Sequence, residues 1–213
     1  MQLTPAHLRR ARAPRRGPCG FTLIELMVTL SLVGILFVLG LPSFTTWIRN
    51  SQVRSVAEAL QDGLRVAQTE AVRRNHSVLL SFTNDSNPVK NPNTAAGGRN
   101  WVTQTVSSPF VNEGVSEFIR SGVLSEVASG VEVSSEPLIA AVCFDANGRI
   151  TKSDTPAAAP STAACAAQRA IFNVSHPGSD RALRIIVQIG GQVRMCDPKR
   201  PALSAAAPDG CPP

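Results

Sequence analysis

Three groups of residues in this sequence carry types and spacings that could do chemistry. The first is one acid: Glu25 is the only charged residue in the apolar stretch 21–44. A carboxylate facing lipid costs about 2.5–3.5 kcal/mol on insertion scales, so it should persist only where something compensates it. The second is the five cysteines, Cys19, Cys143, Cys165, Cys196 and Cys211, which could form disulfides or bind a metal. No C-x-x-C pair occurs, and His76 and His176 are isolated, which disfavours zinc. The third is a block of guanidiniums, Arg9, Arg10, Arg12, Arg15 and Arg16, with no acid among residues 1–20. No G-x-S-x-G, H-E-x-x-H or phosphate-binding loop is present. Asp145 lies in a turn sequence, where Asp is expected for turn reasons. The chain is therefore read as no enzyme, with no cofactor and no metal.

The elements that must position these groups follow from charge and periodicity. The chain has 213 residues, 21 basic and 15 acidic, with 43% apolar residues. Setting aside the five leading arginines leaves 16 basic against 15 acidic residues in 21–213. The net +6 is mostly an N-terminal tag, so a diffuse nucleic-acid footprint is not implied. An Arg cluster directly before an apolar run reads as a positive-inside anchor. Taken as helix, about 20 residues at 1.5 Å each span roughly one bilayer core. No second run of this kind exists, so a single crossing is expected, with everything after residue 44 outside the cytoplasm. Gly40-Leu41-Pro42-Ser43-Phe44 is a poor signal-peptidase site. Gly34, Gly40 and Pro42 are the places where this helix should bend or loosen, Pro42 because it lacks an N–H and clashes with the preceding turn.

Gly20-Phe21-Thr22-Leu23-Ile24-Glu25 resembles the processing site of type IV prepilins and type II secretion pseudopilins. The resemblance implies that a prepilin peptidase/N-methyltransferase cuts between Gly20 and Phe21 and methylates the new amine of Phe21. Glu25 then becomes the fifth mature residue, the usual acidic position of the family. Its carboxylate can pair with the terminal ammonium of a neighbouring subunit, which serves register during assembly more than stability. Snorkelling to the headgroups is the other reading of Glu25.

Beyond residue 45 the chain turns polar but keeps a helical period. Val53, Val56, Leu60, Leu64, Ala67 and Ala71 form one apolar stripe, predicting one helix over about 22–74. Arg73-Arg74-Asn75 supplies end signals: cations at the helix C-terminus and an Asn that tolerates left-handed geometry. After Asn75 the pattern becomes that of about seven short strands. These are 78–82, 101–106, a fragment at Phe118-Ile119, 131–133, 138–144, 170–174 and 183–189, with 149–151 and 192–195 flanking the turns Asn147-Gly148 and Gly190-Gly191. Residues 84–100 and 153–167 read as loops, and 197–213, with five prolines, as irregular. The expected fold is α+β: a long N-terminal helix packed on a C-terminal antiparallel β-sheet domain. It resembles the GspH/FimT branch of pilin-like proteins. The matching segments are 67–75, Phe144-Asp145-Ala146-Asn147-Gly148-Arg149, and the hairpin at Gly190-Gly191. The expected divisions are a cleaved basic leader (1–20), a transmembrane and filament-core helix (21–44), an amphipathic helix (45–75) and a β-rich periplasmic domain (76–213).

Removal of the leader takes Cys19 with it. Cys143, Cys165, Cys196 and Cys211 remain, an even number in an oxidising compartment, so two disulfides are expected from three connectivities. Cys143–Cys165 and Cys196–Cys211 are favoured because they close the least structured loops. The resemblance implies a minor pilin that helps initiate or cap a type IV pilus, or alternatively a minor pseudopilin of a type II secretion system. The implied partners are other pilins or pseudopilins, the inner-membrane assembly platform, and the membrane crossed once. A further alternative is DNA binding for uptake. Some members of the FimT branch use Gly-Arg-x-Arg near the C-terminus, whereas this chain has Gly191-Gln192-Val193-Arg194, with Lys199 and Arg200 nearby. The replaced Arg and the near-neutral mature charge argue against that role.

Overall fold

The computed structural model describes residues 20–89, 91–106, 116–152, 165 and 168–212, with only the backbone of Leu39 and Pro42. The expected leader up to Cys19, the stretch 107–115 and most of the loop 153–167 lie outside the described residues. The chain divides into two compact units, Met1–Pro42 and Ser43–Pro213. Helix α1 (Leu23–Arg74) begins in the first and ends in the second. In the first unit its large apolar side chains, from Leu23 to Leu41, are exposed wherever described.

The second unit is built around the later part of α1. Val53, Val56, Ala57, Leu60, Leu64, Ala67 and Ala71 are buried, which is the predicted stripe with Ala57 added. Full burial of each larger side chain contributes about 1.5–3 kcal/mol. The helix ends as its sequence demands. Asn75 takes φ 48°, its N–H donates to the carbonyl of Val72, and that of His76 to the carbonyl of Ala71. These two bonds satisfy carbonyls that the last turn leaves open, and Asn tolerates the left-handed position.

Eight strands follow: β1 (Val78–Thr83), β2 (Asn100–Thr105), β3 (Phe118–Val123), β4 (Glu132–Glu136), β5 (Ala141–Phe144), β6 (Ala170–Ser175), β7 (Leu183–Val187) and β8 (Val193–Cys196). A four-residue helix α2 (Leu124–Val127) separates β3 from β4. The strands form two antiparallel sheets rather than one, ordered β3-β2-β1-β5 and β4-β6-β7-β8. The chain crosses between them after β3, β4 and β5; at the β4–β5 crossing the buried Ser135 hydroxyl accepts the N–H of Ile139 at 2.8 Å and donates to its carbonyl at 3.3 Å. Both sheets contribute to one core with the helix, and Phe82 of β1 meets Phe172 of β6 with ring centroids 5.0 Å apart.

Boundaries shift for local reasons. β5 starts at Ala141, not Leu138, because Pro137 has no N–H for a ladder and Leu138 is exposed. The segment 149–151 makes only an isolated bridge, Ile150 with Phe144. The tail forms bridges of its own, Asp197 with Gly210 and Ser204 with Ala207. Trp101 of β2 is buried between two glycines. A Cβ at Gly63 of α1 would stand 2.7 Å from the indole, and one at Gly122 of β3 2.4 Å from it.

Candidate functional site

The N-terminal motif begins where α1 begins. Phe21 is exposed. The side-chain oxygen of Thr22 accepts the backbone N–H of Glu25 at 3.2 Å. Thr22 thus caps the helix, and Glu25 is the acid of the first turn. Thr-x-x-Glu is a capping-box spacing, a signal present in the sequence that its processing-site resemblance obscured. The helix macrodipole also favours an acid at this end. Gly34 and Gly40 lie within α1 with nothing within 4 Å of where a Cβ would stand. The boundary between the two units falls after Pro42. Among the described residues no single helix is long and apolar enough by itself to cross a membrane; Leu23–Val38 and Ser43–Arg74 pass together by length and composition.

In the second unit, three sequence segments set far apart come together. Gln68 of α1 donates Nε2–H to the carbonyl of Gly148 at 2.9 Å. Gly148 belongs to a turn in which one oxygen of Asp145 accepts the N–H groups of Asn147 and Arg149 at 2.8 and 2.9 Å. Gly191, at φ 88°, sits so close that a Cβ would stand 1.8 Å from the Gly148 carbonyl oxygen. Ile150 donates its N–H to Ile189 at 3.1 Å. The helix end, the Asp145 turn and the closing hairpin are therefore one joint between α1 and the two sheets. Gln68 lies in the segment 67–75 that carries the resemblance, but no local signal indicates its bond to Gly148.

The four remaining cysteines form two disulfides, Cys143–Cys165 and Cys196–Cys211. The first ties residue 165 to β5, over Leu79 and Ala141, which form a second small apolar cluster with it. The second closes the tail onto the end of β8. Arg194, Lys199 and Arg200 lie in or beside this tail, each already bound. Arg194 donates to the carbonyl of Pro208 at 2.9 Å, Lys199 to the carbonyl of Asp180, and Arg200 pairs with Asp209 at 3.4 Å. Arg181, absent from the residues singled out by sequence, pairs with the buried Asp197 at 2.9 Å and with Asp209 at 3.6 Å. Among the described residues no cluster of three or more His, Cys, Asp or Glu could hold a metal ion.

At the end of α1, Glu70 accepts from Arg73 at 2.7 Å and from Arg74 at 2.8 Å, and Arg74 also reaches Glu117. The hydrogen bonds from Arg73 and then Arg74 hold the Glu70 carboxyl at about 2, below its ordinary 4.5. This cluster fastens the helix end to the segment that leads into β3.

A helix capped beside an apolar, methylation-type N-terminus and followed by two antiparallel sheets defines a pilin-like subunit. The prokaryotic N-terminal methylation motif matches residues 15–41, and the type II transport protein GspH family model matches residues 56–191. The chain belongs to the type II transport protein GspH family. It is 34% identical over 113 residues to the type IV major pilin protein PilE1 of Neisseria gonorrhoeae, covering 50% of each chain. It is 46% identical over 48 residues to a fimbrial protein of Moraxella nonliquefaciens, covering 22% of this chain and 30% of the relative. It thus spans half or less of these relatives' length. Similar solved structures include the type IV minor pilin FimU of Pseudomonas aeruginosa, at 17% identity and TM-score 0.48, over 76% of this chain and 96% of that one. Another is the minor pseudopilin EpsH from the type 2 secretion system of Vibrio cholerae, at 12% and 0.45, over 70% and 99%.

Proposed function

We propose that the chain is a low-abundance subunit that helps initiate or cap a type IV pilus, cut after Gly20 by a prepilin peptidase and N-methylated at Phe21. The observation that carries this reading is the exposed apolar surface of residues 21–41 in a chain whose second unit is otherwise well packed. Apolar area on that scale needs lipid or like helices around it. The helix partitions into the inner membrane, with the later unit periplasmic, and then into a bundle of similar helices when an inner-membrane platform extracts it. Glu25 pairs there with the terminal ammonium of a neighbour, while loosening at Gly34, Gly40 and Pro42 lets the helix fit the bundle. Likeness to two fimbrial subunits supports the pilus; the matched family description supports the alternative, a minor pseudopilin of type II secretion.

Mass spectrometry of the mature protein should find Phe21 as an N-methylated terminus. Glu25→Ala should be cleaved as efficiently as wild type yet fail to enter filaments. Wild-type incorporation of that variant would refute the pairing, and a mature chain beginning beyond Pro42 would refute the whole reading. Loss of surface pili with secretion intact on deletion selects the pilus; the reverse selects the secretion system. The tail cations lend DNA binding no support, since their own fold's carbonyls and carboxylates occupy them.

A further inference from the structure

Two exposed surfaces of the second unit carry opposite charge, each beside exposed apolar side chains. The first covers the joint of α1, the Asp145 turn and the closing hairpin. Val72 of α1 is 53% exposed and Ile189 of the hairpin 60%. Both belong to the joint: a Cβ on Gly148 would stand 3.1 Å from Val72 Cγ2, and the Ile189 carbonyl accepts the N–H of Ile150. Arg149 follows Gly148 in the turn. Arg65 lies two helical turns before Val72 on the same face of α1, about 10 Å along the axis. Both arginines are exposed, and neither guanidinium has a hydrogen-bond or ion-pair partner among the described residues. The acids beside them are engaged: one oxygen of Asp145 accepts two backbone N–H groups, and Asp62 pairs with Arg120. The second surface is the outer face of β4. Glu132, Ser134 and Glu136 are exposed and alternate with buried neighbours. Glu132 has no partner among the described residues, and Glu136 accepts the neutral amide of Asn173 at 3.2 Å. Leu138, just beyond, is 82% exposed. Along the strand the two acids stand about 13 Å apart, comparable to the run from Arg65 to the turn that carries Arg149.

We propose that these two surfaces bind each other between subunits: β4 of one copy of this chain lies on the joint of a second copy. Glu132 and Glu136 face Arg65 and Arg149 there, and Leu138 meets Val72 and Ile189. The proposal rests on the reading of the chain as a membrane-inserted filament subunit and deepens it. Charges left without partners on each surface steer the approach and fix its register. The apolar side chains supply the part of the contact that excludes water. The joint is a prepared receptor, because Gln68, Gly148 and Gly191 already hold it closed, so docking orders little new chain. A contact between two different surfaces is heterologous. Each copy in a pair keeps one surface of each kind free, so the contact extends along a helical array instead of closing on itself.

The test uses the full chain in phospholipid vesicles, with donor and acceptor dyes attached at the C-terminus and energy transfer followed against the protein-to-lipid ratio. One variant reverses the cations, Arg65→Glu/Arg149→Glu; another reverses the acids, Glu132→Arg/Glu136→Arg. All four positions are exposed. Each variant alone should need about tenfold more protein per lipid to reach half-maximal transfer, because like charges then face one another. An equal mixture of the two variants should regain wild-type transfer, since reversed cations then meet reversed acids. Raised salt, which needs no variant, should weaken transfer of the wild-type chain. Wild-type transfer in either variant alone overturns the proposal, as the membrane helices would then suffice. So does transfer indifferent to salt. A mixture as weak as its parts also overturns it, and would assign these charges to a different subunit. Any of these results in a chain that floats with the vesicles leaves the membrane reading standing. A chain that floats with none overturns that reading, and this proposal with it.

Discussion

Gln68 gives its side-chain N–H to the carbonyl oxygen of Gly148, 80 residues later, at 2.9 Å, and Gly191 lies against the same oxygen. Side chain, turn and hairpin meet there with no room for a Cβ at position 191. Gln68→Leu should destabilise the protein by about 1 kcal/mol, the net worth of one such bond. Gly191→Ala should be more damaging, at about 2 kcal/mol or above, because it adds a clash with backbone to a positive φ. Urea melts of the two variants would check the ranking; a Gly191→Ala protein as stable as wild type would contradict this geometry.

Gly63 offers a test against intrinsic propensity. In a helix interior Ala should be favoured over Gly by about 1 kcal/mol. Here the added methyl would stand 2.7 Å from the Trp101 indole, and overpacking of that kind costs about 1–3 kcal/mol. Gly63→Ala should therefore lower the melting temperature. Pairing it with Trp101→Leu should recover much of the loss, read as a non-additive cycle.

Glu70 makes stability depend on acid pH. Its folded carboxyl titrates at about 2 against an ordinary 4.5. A lowered folded-state value means that the unfolded chain binds the proton first. The contribution is thus complete above about pH 5 and is lost as pH falls from 4.5 toward 2. Glu70→Gln should flatten that part of a stability–pH curve while leaving the neutral-to-alkaline limb parallel to wild type. Unchanged acid sensitivity in this variant would assign it to other carboxylates.

The Cys196–Cys211 disulfide spans a sequence separation of 15. A loop of that size contributes about 3 kcal/mol in the chain-entropy account. The double Cys196→Ser/Cys211→Ser variant should lose stability on that scale. It should also become more open to proteolysis within 197–212, because only the bridges Asp197–Gly210 and Ser204–Ala207, the Arg194–Pro208 and Lys199–Asp180 hydrogen bonds and the ion pairs of Arg181 and Arg200 then hold the tail. A tail that stays protected without the disulfide would show those contacts to be sufficient.

Much of this architecture was legible in residue order alone. The stripe Val53 to Ala71, the left-handed Asn75 and most strands are local: a helix period, a cap preference and short apolar or alternating runs (alternating in β4 and β6, buried throughout in β1 and β5) each act within a few residues. The apolar run 21–44, and the Gly20-Phe21-Thr22-Leu23-Ile24-Glu25 motif that opens it, are equally local, which is why so few residues carry the family resemblance. What the tertiary structure decided were pairings across long separations. The split into two sheets depends on which strand each edge meets, and nothing in β4 or β5 alone states that. Gln68 with Gly148, Trp101 between two glycines, and Arg181 with Asp197 are invisible in sequence for the same reason. Their energy comes from close approach and exclusion of water, and both arise only after the chain has closed loops of tens of residues.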